Sequence, residues 1–396
     1  MQVLVLNSGS SSLKFQLFSM PAETILCSGL IERIGMDDAK FIYKTEKDTI
    51  EHVTAIYNHK QGLELLSHQL LDSETGIIKS ASDIDIVGHR VVQGGARFKE
   101  TTEINQWAKD NIKDLFSLAP LHNPANFEGI EVAEAIFPSA KQVAVFDTAF
   151  HQSIPPEHAY RYAIPNNLLT EHKIRMYGFH GTSHKYVSEQ AIHYLGKKES
   201  KIISIHLGNG CSITAIKNGK AVDHSMGLTP LDGLIMGTRS GDIDPSVIFH
   251  LASKLNYSLD EINTLLQKKS GMLGLTGFSD LREIETEAAK GNRDCLLALQ
   301  MNTYRIKKYI GSYAAVLNGL DAIVFTAGIG ENSELMRKMV CEDLDFLGIN
   351  LDTEKNKERS KLLRAVNTIE SKVKILVIPT NEELEIAKQS VQLFEN

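Results

Sequence analysis

Three short turns in this chain have the residue types needed to hold a phosphate chain. Asn7-Ser-Gly-Ser-Ser-Ser-Leu-Lys14 puts five small residues between two apolar stretches, with a lysine on the second. Glycine and serine let a backbone come close to a polyphosphate, hydroxyls add donors, and Lys14 adds positive charge. The spacing is not that of a Walker loop, which requires G-x-x-x-x-G-K-S/T. His206-Leu-Gly-Asn-Gly-Cys-Ser212 and Gly328-Ile-Gly-Glu-Asn332 follow apolar runs in the same manner. One such turn is usually only a turn. Three of them at strand ends argue for one nucleotide, because ligands of open α/β sheets bind beyond the carboxyl ends of the strands.

The elements that must carry these turns form an imperfect internal repeat. Val3–Leu6 reads as a strand, followed by the serine turn and a second strand near Leu13–Phe18. Two hundred residues on, Ile202–Ile205, the His206 turn and Ser212–Ile216 repeat the pattern, and Asn218-Gly219 closes into a third strand. Asp85-Ile-Val-Gly-His-Arg90 then corresponds to Asp321-Ala-Ile-Val-Phe-Thr-Ala-Gly328, and Gln142–Asp147 to Lys374–Asn381. The pattern predicts a duplicated α/β domain with a site between the copies. Helices are expected after Asn123-Pro124, from Asp244-Pro245, from the capping box Ser258-Leu-Asp-Glu261, over Cys295–Leu317 with an interruption at Gly311, and from Asn381.

Composition excludes several partners. The 396 residues carry 42 basic and 49 acidic side chains, a net charge of −7, which gives no reason to expect nucleic acid or an anionic membrane. No run of about 18 apolar residues occurs, so no transmembrane helix is predicted. Cys27, Cys211, Cys295 and Cys341 are far apart in sequence and suggest neither a zinc site nor a redox pair. With no signal-peptide pattern after Met1, the expectation is a cytoplasmic protein.

Together the segments resemble the acetate kinase family, within the wider class of sugar kinases, chaperone ATPases and actin. The likeness runs essentially end to end. Besides the three turns it rests on Gly88-His-Arg-Val-Val92, Ala119-Pro-Leu-His-Asn-Pro124, Phe146-Asp-Thr-Ala-Phe-His151 and Tyr177-Gly-Phe-His-Gly-Thr-Ser-His184. Met236-Gly-Thr-Arg-Ser-Gly241 and Pro379-Thr-Asn-Glu-Glu383 complete it. The resemblance implies an α/β fold of duplicated ribonuclease H-like domains with an interdomain nucleotide cleft, assembled as a homodimer. Residues 1–150 would form the acyl-substrate and phosphate domain and 151–382 the nucleotide domain, with the helix 383–396 returning to the first.

The same resemblance implies roles. Asn7 and Glu382 would hold Mg²⁺, with Mn²⁺ as the alternative metal, and Lys14 would lie near the phosphates. The ATP site would comprise His206, Leu207, Gly208, Asn209 and Gly210, then Asp280, Leu281 and Arg282, and Gly328, Ile329, Gly330, Glu331 and Asn332. Arg90 and Arg239 would face the acid and the transferring phosphoryl group, with Asp147 and His180 beside them. Val92, Leu121, Phe179 and Pro230 would form the acyl pocket. Taken singly, these four read as plain core, and an arginine after a strand reads as a surface group. Glu331, Glu382 and Glu383 read as charges favoured at helix N-termini.

The chemistry is consistent with those residue types. A carboxylate acceptor is already ionised at neutral pH and needs no general base. It needs relief from its repulsion by the triphosphate, which two arginines and a divalent cation supply. Asp147 would then position magnesium or orient an arginine, and His180 would donate a hydrogen bond to the phosphoryl group. The expected reaction is ATP-dependent, reversible phosphorylation of acetate to acetyl phosphate, with ATP/ADP and a short-chain carboxylate as partners. The alternatives are a propionate or butyrate kinase, a sugar kinase using Asp147 as base, and a nonenzymatic ATPase switch. Two residues depart from the family pattern. Gln93 stands where histidine is expected, predicting a slight change in substrate orientation, and Cys211 where serine is usual, predicting sensitivity to thiol reagents.

Overall fold

The computed structural model describes residues 1–395. The chain forms two compact units: Met1–Phe150, joined by the segment that begins at Asn381, and His151–Thr380.

The first unit is built on an eight-stranded sheet. Its strands are β1 (Gln2–Ser8), β2 (Ser12–Ser19), β3 (Thr24–Glu32), β4 (Met36–Thr45), β5 (Thr49–Ile56), β6 (Ile86–Val91), β7 (Thr102–Glu103) and β8 (Lys141–Phe146). Their order is β5-β4-β3-β2-β1-β6-β8-β7. β1 is antiparallel to β2 but parallel to β6, which is parallel to β8. Val3, Leu4, Val5 and Leu6 are all buried, because β1 lies in mid-sheet with both faces covered. Such a strand reads as an unbroken apolar run rather than an alternating one. Phe15, Phe41, Leu63 and Phe137 belong to one core cluster. Phe98 and Phe146 stack at 4.2 Å in another.

The C-terminal helix Glu382–Glu395 lies on β6. Gly88 makes that approach possible, since a Cβ there would sit 2.8 Å from both Ile386 Cγ2 and Ser390 Oγ. The close contact brings the start of the helix toward the end of β6.

The second unit has the six-stranded order β11-β10-β9-β12-β14-β13. The strands are β9 (Lys201–Leu207), β10 (Cys211–Lys217), β11 (Lys220–His224), β12 (Ala322–Thr326), β13 (Arg364–Ala365) and β14 (Lys374–Val377). β11, β10 and β9 run antiparallel in turn, and β9, β12 and β14 run parallel. β3-β2-β1-β6-β8 shows the same order and the same senses, so the repeat read from sequence is a repeat of topology. Among the described residues, no helix is long and apolar enough to cross a membrane, and all four cysteines are free and buried.

Two local expectations need correction. The helix Arg293–Leu317 runs unbroken through Gly311, which faces open space and needs no special conformation. The helix expected from Pro245 starts at Ser246, whose N–H is taken by Asp244 Oδ1 at 2.8 Å.

Gly88→Val tests the helix–strand approach. Overpacking should lower stability by about 1–3 kcal/mol in chemical denaturation, and an unchanged midpoint would show that the helix has room to move.

Candidate active site

In the first unit, charged groups gather beyond the carboxyl ends of β1, β6 and β8. Because β6 and β8 are parallel and in register, with Val91 opposite Phe146, the residues that end them are neighbours. Asp147 donates its N–H to Val91 O at 3.0 Å. Its carboxylate grips Arg90: both oxygens lie 3.1 Å from Nε, and Oδ2 lies 2.6 Å from Nη2. Nη1 donates to Asn7 Oδ1 at 3.3 Å. Asn7 and Lys14 face each other across the β1–β2 hairpin, and Lys14 Nζ pairs with Glu383 Oε1 at 2.6 Å. Glu383 is buried, so it is an ion-pair partner and not merely a charge at a helix start.

Burial works against the charge on Arg90, but the carboxylates of Asp147, Glu382 and Glu383 more than offset it and raise its pKa. Glu382 lies 3.9 Å from Arg90 Nε. Burial, reinforced by the charges of Asp147 and Glu383, pushes its carboxyl up to about 7. Its negative charge is therefore under-compensated. The oxygens of Glu382 and Asn7 are hard donors, the type that suits a hard divalent cation. Among the described residues no three His, Cys, Asp or Glu side chains form a metal cage.

The acyl-pocket residues of this unit differ in setting. Val92 is buried, with its N–H on Asn126 Oδ1 at 3.1 Å, whereas Leu121 is 51% exposed. Gln93 is fully buried, and its Oε1 accepts the Gly95 N–H at 2.9 Å while its backbone exchanges two hydrogen bonds with Asn123. Its carbonyl oxygen braces the local backbone.

In the second unit the central group is His180, which precedes the helix Gly181–Leu195 in a left-handed conformation, φ 56°. Such a φ is uncommon outside glycine and needs support from its surroundings. The preceding peptide supplies it. Phe179 donates its N–H to His224 Nε2 at 3.0 Å, and its carbonyl accepts from His151 Nε2 at 3.0 Å. His180 Nδ1 lies 2.9 Å from Ser212 Oγ, and its ring stacks on His206 at 4.3 Å.

Arg239 shares this corner. A Cβ on Gly210 would come within 3.4 Å of His180 Nε2 and 3.5 Å of Arg239 Nη1, so both groups rest on the turn between β9 and β10. Arg239 Nη1 donates to Pro230 O at 3.0 Å and touches Met236 Sδ at 3.5 Å. Burial lowers its pKa. Among the described residues this half-buried guanidinium has no carboxylate partner, unlike Arg90. It is a positive charge suited to an anion.

Beside the same turn opens a cavity of about 750 Å³, within the range of small-molecule sites. Gly208, Asn209, Asp280, Leu281, Arg282, Gly328, Ile329 and Asn332 line it. Of the residues expected around a nucleotide, Glu331 turns elsewhere: its Oε1 accepts the Thr380 N–H at 3.1 Å. Leu207 lies deeper, beside Cys211 and Met236. Asp280 caps the helix Leu281–Ala289 and chelates the Arg282 guanidinium.

Ser279, Glu285, Ser333 and Arg359 also line the cavity and were not found from sequence. Glu285 is one helical turn beyond Leu281, a spacing that could have exposed it. Arg359 sits in the polar stretch after the helix Thr353–Lys357 and carries no such signal. Cys211 does not meet the expectation of reactivity. Its thiol is buried, pushed up to about 12 by that burial, and donates to Gly208 O at 3.2 Å. A thiolate is the reactive form, and here it is suppressed.

Two α/β units of one topology, with one guanidinium at a strand end, another against a glycine turn and a glycine-walled cavity of nucleotide size, define a class of duplicated phosphate-handling proteins. The chain belongs to the acetokinase family, whose model matches residues 2–388. It is 62% identical to an acetate kinase of Flavobacterium johnsoniae over 396 residues, the full length of both chains. Among solved structures, the acetate kinase of Porphyromonas gingivalis superposes with a TM-score of 0.93 at 44% identity. A propionate kinase from Francisella tularensis gives 0.93 at 45%, and each comparison covers 99% of both chains.

The Glu382 carboxyl has a stability signature. Its folded pKa of about 7 lies above the ordinary 4.5, so the folded chain keeps a proton that the unfolded chain has released. Stability is lost as pH rises from about 4.5 to about 7 and stays lost above. Metal-free Glu382→Gln should therefore exceed the parent protein in stability by roughly 2–3 kcal/mol at pH 8. The difference should vanish near pH 4.5 in chemical denaturation, and a pH-independent difference would refute the shift.

Proposed function

We propose that this protein is a phosphotransferase that moves the γ-phosphoryl group of ATP to acetate, giving acetyl phosphate and ADP, reversibly and by direct in-line transfer. The observation that carries the reading is Arg239, a half-buried guanidinium with no carboxylate partner among the described residues, resting beside His180 on a glycine turn at a nucleotide-sized cavity. A nucleotide switch has no use for such a group. An enzyme that brings one anion to another does.

In this mechanism the acetate oxygen attacks the γ-phosphorus, the bond to the β-phosphate oxygen breaks, and ADP leaves; no proton is moved. The Gly208–Asn209 and Gly328–Asn332 turns hold the nucleotide with the Asp280–Arg282 segment. Arg239 and His180 donate to the transferring group, where charge spreads over the equatorial oxygens. Arg90 holds the acid, kept in place by Asp147. That grip also argues against a hydroxyl acceptor, since a carboxylate committed to three guanidinium contacts is a poor general base. Selection among acids would fall to small apolar side chains, Val92 and Leu121 in the first unit, where each methylene is worth about 1–3 kcal/mol. A divalent cation, Mg²⁺ or Mn²⁺, held through Glu382 and Asn7, would neutralise phosphate charge when bound. Lys14 adds positive charge at the same hairpin.

We also read the protein as a cytoplasmic homodimer. Leu297, Met301 and Tyr304 lie exposed along one face of the helix Arg293–Leu317, at the spacing of a helical stripe. Four free, buried cysteines suit a reducing compartment.

A hydroxylamine trap for acyl phosphate, run with ATP, Mg²⁺ and acids of two, three and four carbons, tests the reading. Acetate should give the largest kcat/KM, with propionate accepted and butyrate poor. A preference for propionate would move the assignment to the Francisella relative's activity, and no hydroxamate with any acid would end it. Arg90→Lys keeps the charge but loses the planar fork, so it should lose about a hundredfold or more in kcat/KM. Parent-like activity in that variant would remove the bidentate role.

A further inference from the structure

Under the helix Gly181–Leu195, strands β9 and β10 present polar side chains toward a buried space. Ser204 and His206 alternate on one strand and Ser212 and Thr214 on the other, all buried. His184, four residues after His180 and fully buried, bridges two of these hydroxyls. Its Nδ1 lies 2.9 Å from Ser204 Oγ and its Nε2 2.7 Å from Ser212 Oγ. Ser212 Oγ in turn lies 2.9 Å from His180 Nδ1. The four groups form one continuous line: Ser204, His184, Ser212, His180.

We propose that Ser212, with His184 and Ser204 behind it, is a positioning residue that holds His180 in the Nε2–H tautomer through a one-directional chain of hydrogen bonds. The inference rests on the reading of His180 as donor to the phosphoryl group, and it states how that donor is prepared.

The direction follows from counting protons. Burial, with the imidazoles of His151 and His206 adding to it, holds the pKa of His184 well below the ordinary value. A neutral ring has one N–H and one bare nitrogen, so His184 donates to one serine and accepts from the other. In the first arrangement, Ser204 O–H donates to His184 Nδ1, and His184 Nε2–H donates to Ser212. Ser212 O–H then donates to His180 Nδ1, which leaves the His180 proton on Nε2. In the reverse arrangement His184 Nδ1–H donates to Ser204, whose own hydroxyl proton must find another acceptor. Ser204 is 0% exposed, and among the described residues its hydroxyl has no other hydrogen-bond partner. The reverse chain therefore strands a buried O–H, a penalty that corresponds to a preference of roughly 5- to 150-fold for the first.

The left-handed backbone at His180 fixes where the ring sits, and the chain fixes which nitrogen carries hydrogen. Both are needed, since a ring in the right place with the proton on Nδ1 offers a lone pair to a phosphate and repels it.

The test uses full-length protein with isotope-labelled histidine and two-bond proton–nitrogen correlation spectra, which distinguish the two neutral tautomers. His180 and His184 are assigned by the signals lost in His180→Gln and His184→Gln. Both rings are expected as Nε2–H in the parent protein. Ser212→Ala should turn His180 into a mixture of tautomers and lower kcat about tenfold, with KM for ATP and acid within about twofold. Finding His180 as Nδ1–H in the parent protein overturns the proposal without any variant. An unchanged His180 tautomer in Ser212→Ala overturns it as well. If His180→Gln keeps full kcat, the role of His180 in transfer falls, while the spectra still judge the hydrogen-bond chain on its own terms.

Discussion

The pairing of Arg90 with Asp147 is the interaction around which the first unit's cluster of charged groups is arranged. Asp147 is almost wholly buried, and a carboxylate there is tolerable only because a guanidinium meets it in three contacts. Removing either partner from a buried pair typically costs about 3–5 kcal/mol, because a charge is left without solvent or counter-ion. The pair therefore has little freedom to rearrange. That rigidity fixes the guanidinium plane, and Asn7 and Glu382 take their places around it.

Backbone packing determines which acids reach that guanidinium. The helix Glu382–Glu395 approaches β6 at the one position where the strand has no side chain, Gly88. Glu382 and Glu383 thus arrive beside Arg90 and Lys14 from the far end of the sequence. One acid is matched by a lysine, and the other is left with an elevated pKa. An excess of negative charge in a structure this well paired is the feature that a cation would relieve.

The second unit solves a different problem with the same topology. There the constraint is a strained backbone and a ring that must be oriented. His224 and His151 hold the backbone N–H and the carbonyl of Phe179, while Ser212 and His184 address the ring of His180. Arg239 is the opposite case, a cation whose described partners are a carbonyl and a sulfur. Arg90 is thus paired with a buried carboxylate, whereas Arg239 has no carboxylate partner among the described residues.

Strand runs, glycine turns and their repetition are local properties, so the sequence by itself determined the duplicated α/β plan and the turns that wall the cavity. The Ser258 capping box was legible for the same reason. Arg90 and Arg239 were legible as candidates from the glycines around them, whereas Asp147 and His180 were named through the family resemblance. Their partners were not, because contact between residues 90 and 147, or 14 and 383, is made by sheet register and helix docking over long separations. Local pattern also misread Gly311, where helix propensity on both sides outweighs one glycine. The alternation Ser204-Ile-His206 and Ser212-Ile-Thr214 was visible, yet only the tertiary structure shows that its polar face is buried under a helix bearing His184. Burial turns polar side chains from solvated groups into obligatory partners, and burial is a property of the packed chain alone.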